Sequence, residues 1–171
     1  MDFKKSLLDA LQGEDDLGVV VRSHIVVELY LNSLIELSMI SIKHFKKIKL
    51  DYHDTVKLAV ALGLNQRFEQ PLNSLGTLRN DFAHNLRSEI SKQDVNNLYK
   101  SLSQDDKKTL QESLNKTRNK LPEDNIPPFK DLEPKDKYIA NVIEICAALE
   151  TICRSTPNNV SKNDAGNRAY S

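Results

Sequence analysis

The chain has 171 residues, and its 24 Lys+Arg are matched by 24 Asp+Glu, giving a formal net charge of zero. At 39% apolar and 28% charged, it holds enough for one compact domain with a real core and too little for a second. Neutrality argues against a protein that grips nucleic acid by bulk charge, and no run approaches 18 consecutive apolar residues, so neither a membrane span nor a membrane partner is expected.

Residues 2–11 form a short amphipathic helix, with Phe3, Leu7, Leu8 and Leu11 on one side and Gly13 as its stop. The opening MDFKKSLLDALQGEDD turns acidic where a secretory signal keeps its apolar stretch, which implies a cytoplasmic protein. A second helix begins at Asp15 or Asp16, either able to cap free N–H groups. Its apolar positions Leu17, Val20, Val21, Ile25, Val27, Leu31, Leu34, Ile35 and Ile42 make it long and mostly buried. Lys43, His44, Lys46, Lys47 and Lys49 then form a basic run. It either complements the helix C-terminus in solvent or makes a phosphate-binding edge. Asp51 to Asp54 supply caps for TVKLAVALGL, which is apolar almost all round and so expected at the centre, with Gly63 near its end.

Pro71 suits a first helical turn, after which Leu72, Leu75, Leu78, Phe82 and Leu86 recur three and four apart and define an amphipathic helix. Ser91 with Asp94 has the form of a capping box opening DVNNLYKSL. Ser103-Gln104-Asp105-Asp106 repeats that signal ahead of a polar helix to about Arg118. Residues 119–134 hold four of the six prolines and form an extended connector. A last helix, about 135–154, carries Tyr138, Val142, Ile145, Cys146, Leu149, Ile152 and Cys153 on one face. From 156 the chain has almost nothing to bury and is expected to be disordered. The fold class is therefore all-α, a single helical bundle over residues 1–155. Cys146 and Cys153, seven apart and so roughly 10 Å along a helix, cannot form an intrahelical disulfide and are assigned to the core.

Several chemistries lack their signatures. There is no Gly-rich phosphate loop, no GxSxG and no HExxH, and the acidic residues follow no metal-binding pattern, so no cofactor or metal is expected. Of the four histidines, only His84 has a suggestive setting, five positions after Arg79. On a regular helix these two side chains diverge by about 140°. They converge only if the helix ends between them or a second subunit supplies the partner group. Asn80 and His84 share a face, with Thr77 and Arg87 alongside. Imidazole can take a proton from a ribose 2′-hydroxyl and return one to a leaving oxygen, while guanidinium braces charge on a phosphate. A structural reading stands beside this one: His84 complements a helix C-terminus, and Arg79, at the margin of the core, pairs with an acid such as Glu28. His24, Glu28 and Asn32 form a polar stripe on the second helix, either a satisfied core pair or support for Arg79 or His84.

The string RNDFAH closes the helix that starts at Pro71, and a KLAVALGL helix precedes it. Together they resemble the HEPN superfamily (higher eukaryote and prokaryote nucleotide-binding domains), whose members carry Arg, four to six residues, then His. The stretch KLAVALGL…LRNDFAHNL looks like the mannitol repressor-type proteins within it, and the resemblance covers about residues 15–90. It implies a metal-independent endoribonuclease of the toxin or defence kind, working as a homodimer with both Arg–His sets in a shared cleft. Arg79 and His84 would be catalytic, with Asn80 and Asp81 as auxiliaries. The implied partners are RNA and an antitoxin or regulatory protein. The alternative is a non-catalytic, mannitol repressor-like transcriptional regulator, which acts through protein–protein contacts without a DNA-binding motif.

Overall fold

The computed structural model describes residues 3–39, 42–45, 47–85, 87–120 and 126–157. These residues form an all-α bundle with no strand among them: α1 (Phe3–Gln12), α2 (Asp16–Ser38), α3 (Ile42–Phe45), α4 (Tyr52–Ala61), α5 (Glu69–His84), α6 (Lys92–Ser101), α7 (Gln104–Lys120) and α8 (Pro134–Ser155). Leu86, Lys46 and nearly all of the expected tail lie outside the described residues.

Local chemistry sets the helix ends. The Asp15 side chain accepts from the Gly18 N–H at 2.7 Å and opens α2, and Asp51 does the same for Asp54 at 2.8 Å in α4. Ser91 and Asp94 form a reciprocal capping box, and Ser103 accepts from the Asp106 N–H at 3.1 Å. Each such cap contributes about 1 kcal/mol. Gly63, with φ +115°, ends α4 in the left-handed region where other residues are strained.

The core is built around α2 and α8. Val20, Val27, Leu31 and Ile35 of α2 and Val142, Cys146 and Leu149 of α8 are wholly buried. A buried Ser23 hydroxyl meets the Tyr138 hydroxyl at 2.9 Å, so the two helices also share a satisfied polar pair. Around this pair, α1 and α7 pack on α8, α5 packs on α2, α4 and α6, and α4 bridges α2 and α5.

Four expectations are corrected. The second helix stops at Ser38, and Ile42 belongs to the separate α3, so the basic run does not sit at its C-terminus. Leu17, Val21 and Ile25 are exposed rather than buried. The α4 segment is not central: Thr55, Val56 and Ala59 are buried while Lys57 and Ala61 face solvent. Cys146 is buried but Cys153 is only half-buried, its thiol directed at the Tyr30 carbonyl oxygen. Burial pushes the Cys146 thiol up to about 12, as expected for an inert core cysteine. Averaged along its length, α2 is also apolar enough to cross a membrane, which a count of consecutive apolar residues misses; here its inner face is spent on the bundle core.

Candidate functional site

Helix α5 carries the four candidate residues on its last two turns. Leu72, Leu75, Leu78 and Phe82 anchor it, all buried. Gly76 is needed because the Tyr52 ring lies against its Cα: an added Cβ would fall 2.5 Å from two ring carbons. Past its end, Arg87 fastens α5 to α6. Its guanidinium takes both carboxylate oxygens of Asp94, reaches the Glu89 carbonyl at 3.2 Å, and lies over the Phe82 ring at 5.2 Å. Partial burial pushes the Asp94 carboxyl up, yet the hydrogen bonds from Arg87 and Ser91 together hold it below the usual carboxylate range.

The helix is unbroken from Glu69 to His84, so it does not end between Arg79 and His84. Within one chain the two side chains therefore point about 140° apart, with roughly 7.5 Å of rise between them. Both are exposed. Arg79 donates from Nη1 to the Asn80 side-chain oxygen at 3.1 Å and makes no ion pair among the described residues. The expected pairing with Glu28 is absent there, and Arg79 stands in solvent rather than at the core margin. His84 has no hydrogen-bond or ion-pair partner among the described residues. Asp81 is half-buried and lies 3.9 Å from Arg87, so its carboxylate faces the α5–α6 fastening more than the Arg79 side.

A second polar group sits behind Arg79. His24, only 5% exposed, places Nδ1 3.5 Å from the Glu28 carboxylate, and its ring packs tilted by 41° against Tyr52, with centroids 4.4 Å apart. Tyr52 donates its hydroxyl to the Leu72 carbonyl at 2.9 Å, and His53 Nδ1 meets the Asn73 side-chain oxygen at 2.9 Å. Burial keeps His24 from taking a proton, Glu28 opposes this, and the positive charge of Arg79 adds to the burial effect. Arg79 is thus close enough for its charge to reach the buried imidazole. The sequence stripe of His24 and Glu28 is real, but Tyr52, His53 and Asn73 join it only through the packing of α4 on α2 and α5. No local spacing in the sequence signals that pairing.

Arg79 also has an unusual position on its helix. It lies on the same arc of α5 as Leu72, Leu75 and Gly76, which are buried, and Ala83 continues that arc, also exposed. Over its last two turns α5 thus keeps Leu78 and Phe82 buried while the arc bearing Arg79 and Ala83 opens to solvent. A cavity of about 260 Å³ lies elsewhere, between Lys4, Arg67, Asp106 and Glu144. Its charged groups are already paired as Lys4–Glu144 and Arg67–Asp106, at 2.7 and 3.5 Å. Among the described residues no group of three or more His, Cys, Asp or Glu side chains is placed to hold a metal. No family model, curated protein or solved structure matches this chain.

Proposed function

We propose that the protein is a metal-independent endoribonuclease of the HEPN type, whose site is completed when two copies bring their α5 ends together. One observation carries this reading. Arg79 and His84 are exposed on the end of a firmly anchored helix, and neither is spent on an ion pair within the described residues. A phosphate can meet the Nε–Nη2 edge of the guanidinium, which the bond from Nη1 to Asn80 leaves open, and an unengaged imidazole can accept and return a proton. Asn80 orients Arg79 through the 3.1 Å hydrogen bond. Asp81, engaged near Arg87, acts on the fold around the site rather than on substrate. Because Arg79 and His84 diverge within one chain, a single phosphate requires Arg79 from one subunit and His84 from the other, and the protein is a homodimer.

The chemistry is attack of a ribose 2′-hydroxyl on the neighbouring phosphate. The O2′–P bond forms as the P–O5′ bond breaks, leaving a 2′,3′-cyclic phosphate and a 5′-hydroxyl. Histidine removes the 2′-hydroxyl proton or delivers one to the leaving oxygen, and arginine stabilises the charge that builds on the phosphate. The test is cleavage of a mixed RNA pool in EDTA, with product ends analysed for cyclic phosphate. Cleavage that appears only with added magnesium contradicts the proposal.

A regulator acting through protein contacts is the second reading, and the zero net charge favours it. It requires wild-type protein inert on every RNA and a protein partner that stays bound to the His84→Ala variant.

A further inference from the structure

Residues 37–50 carry four lysines, Lys43, Lys46, Lys47 and Lys49, and no acid, within a chain of zero net charge. Because α2 ends at Ser38 and α3 is a single turn, little helix dipole is there for them to complement. Lys43, Lys47 and Lys49 are exposed, and none makes an ion pair among the described residues. Cations gathered in this way repel one another until a polyanion joins them. The run leads straight into α4. Lys49 stands four residues before His53, so their Cα atoms are at most about 14 Å apart. His53 Nδ1 meets the Asn73 side-chain oxygen at 2.9 Å. Thr77 and Asn80 follow Asn73 on one polar stripe of α5, which rises roughly 10 Å to the hydrogen-bond partner of Arg79. Residues 70–80 contain no acid either. The carboxylates nearby are engaged: Asp51 caps α4, Asp54 pairs with Lys57 at 3.1 Å, and Glu28 is turned to His24 at 3.5 Å. Lysines at one end, amide and hydroxyl groups along the middle and the Arg79 guanidinium at the other end thus make one strip.

We infer that this strip is the bed of a single-stranded RNA, its phosphates held by Lys43, Lys47 and Lys49 while neighbouring nucleotides lie along Asn73 and Thr77 toward Arg79. The inference rests on the ribonuclease reading and adds where the substrate runs beyond the reacting phosphate. Ammonium groups on flexible stems hold a phosphate backbone without reading its sequence. The amides and hydroxyls of the stripe offer donors and acceptors to base edges and 2′-hydroxyls. Zero net charge is no obstacle, because the field a phosphate feels in physiological salt is local, over about 8 Å. An anionic lipid surface would meet the same lysines, but Ile48 alone among them gives it little apolar anchorage, and the α5 stripe is polar.

Binding is measured in EDTA on the full chain carrying His84→Ala, so that the RNA stays intact. The readout is fluorescence anisotropy of a labelled, unstructured RNA of about 20 nucleotides, between about 50 and 200 mM salt. Adding Lys43→Gln, Lys47→Gln and Lys49→Gln together should weaken binding about tenfold or more at the low-salt end, with unchanged melting. It should also lower the slope of log affinity against log salt by about 2, since each lost contact with a single strand removes about 0.7. Arg at the same three positions keeps the charge and should restore both. With His84 intact, the Gln variant should raise KM for this RNA and leave kcat unchanged. RNA bound with the same affinity and slope after the Gln changes overturns the inference, as does an Arg variant no better than the Gln one. A chain that binds no RNA also overturns it, and one that then floats with phosphatidylserine vesicles assigns the lysines to a lipid surface. Lysine-dependent binding by a chain that cuts no RNA with His84 intact leaves the strip standing and refutes the ribonuclease reading.

Discussion

His84 and Arg79 divide structure from function because neither holds the fold together. Replacing His84 with Ala removes an exposed, unpartnered side chain, so stability should change by less than about 0.5 kcal/mol. The same change should lower RNA cleavage by roughly 10²–10⁴-fold, the usual effect of losing a positioned acid or base. Arg79→Ala should be equally mild on stability, since Arg79 bonds only Asn80 within the described residues. Urea midpoints measured beside cleavage rates separate the two effects. His24 behaves in the opposite way. Its pKa lies below the ordinary histidine value because burial excludes the charged form. Below about pH 6.5 the unfolded chain therefore binds a proton that the native state does not. Stability should fall as pH drops through that point, by at most about 1.4 kcal/mol per unit, and be fully present above it. The His24→Gln variant should show a flatter loss between pH 7.5 and 5.5; an identical slope in both proteins would show that His24 is not the group responsible. The sequence already singled out His24 with Glu28, and Arg79 with His84, because each pair is local in the chain. It could not show that Arg79 is free of Glu28, since that depends on where α5 leaves the core.

At the scale of elements, two contacts hold α5 in place, and each can be broken singly. Asp94 closes the α6 capping box and receives the Arg87 guanidinium, so Asp94→Ala loses a cap and an ion pair together. A cost of about 1–3 kcal/mol is expected in denaturant unfolding. A change within about 0.5 kcal/mol would mean that the α5–α6 fastening carries little load. Gly76→Ala sets a methyl group against the Tyr52 ring and should cost about 1–3 kcal/mol by overpacking. Because Tyr52 packs against His24, that variant should also alter the pH dependence of stability. Capping signals made the helix starts legible: Asp15, Asp51, Ser91 and Ser103 all cap where their side chains predict. Helix ends and faces were less so. Extending α2 to Ile42 followed hydrophobic content, which continues past Ser38 although the helix does not. Placing TVKLAVALGL at the centre followed composition too. Apolar residues all round a helix leave its buried face undetermined until neighbours choose it, and here α2 and α5 cover only one side.

For the whole molecule, the all-α bundle followed from periodicity, and the core pairing of α2 with α8 agrees with the apolar face expected of the last helix. Leu17, Val21 and Ile25 of α2 are expected inside from composition yet lie exposed, because hydrophobicity alone does not tell a core-facing position from a solvent-facing one. In the proposed site, Arg79 of one subunit and His84 of the other act on the same phosphate. The most direct measurement mixes Arg79→Ala and His84→Ala proteins, each nearly inactive alone, after dissociation and reassociation, and follows RNA cleavage in EDTA. Half the dimers formed are mixed, and each mixed dimer contains one site with both residues intact. Activity should therefore return to about a quarter of wild type. A mixture as inactive as its two components would contradict the account.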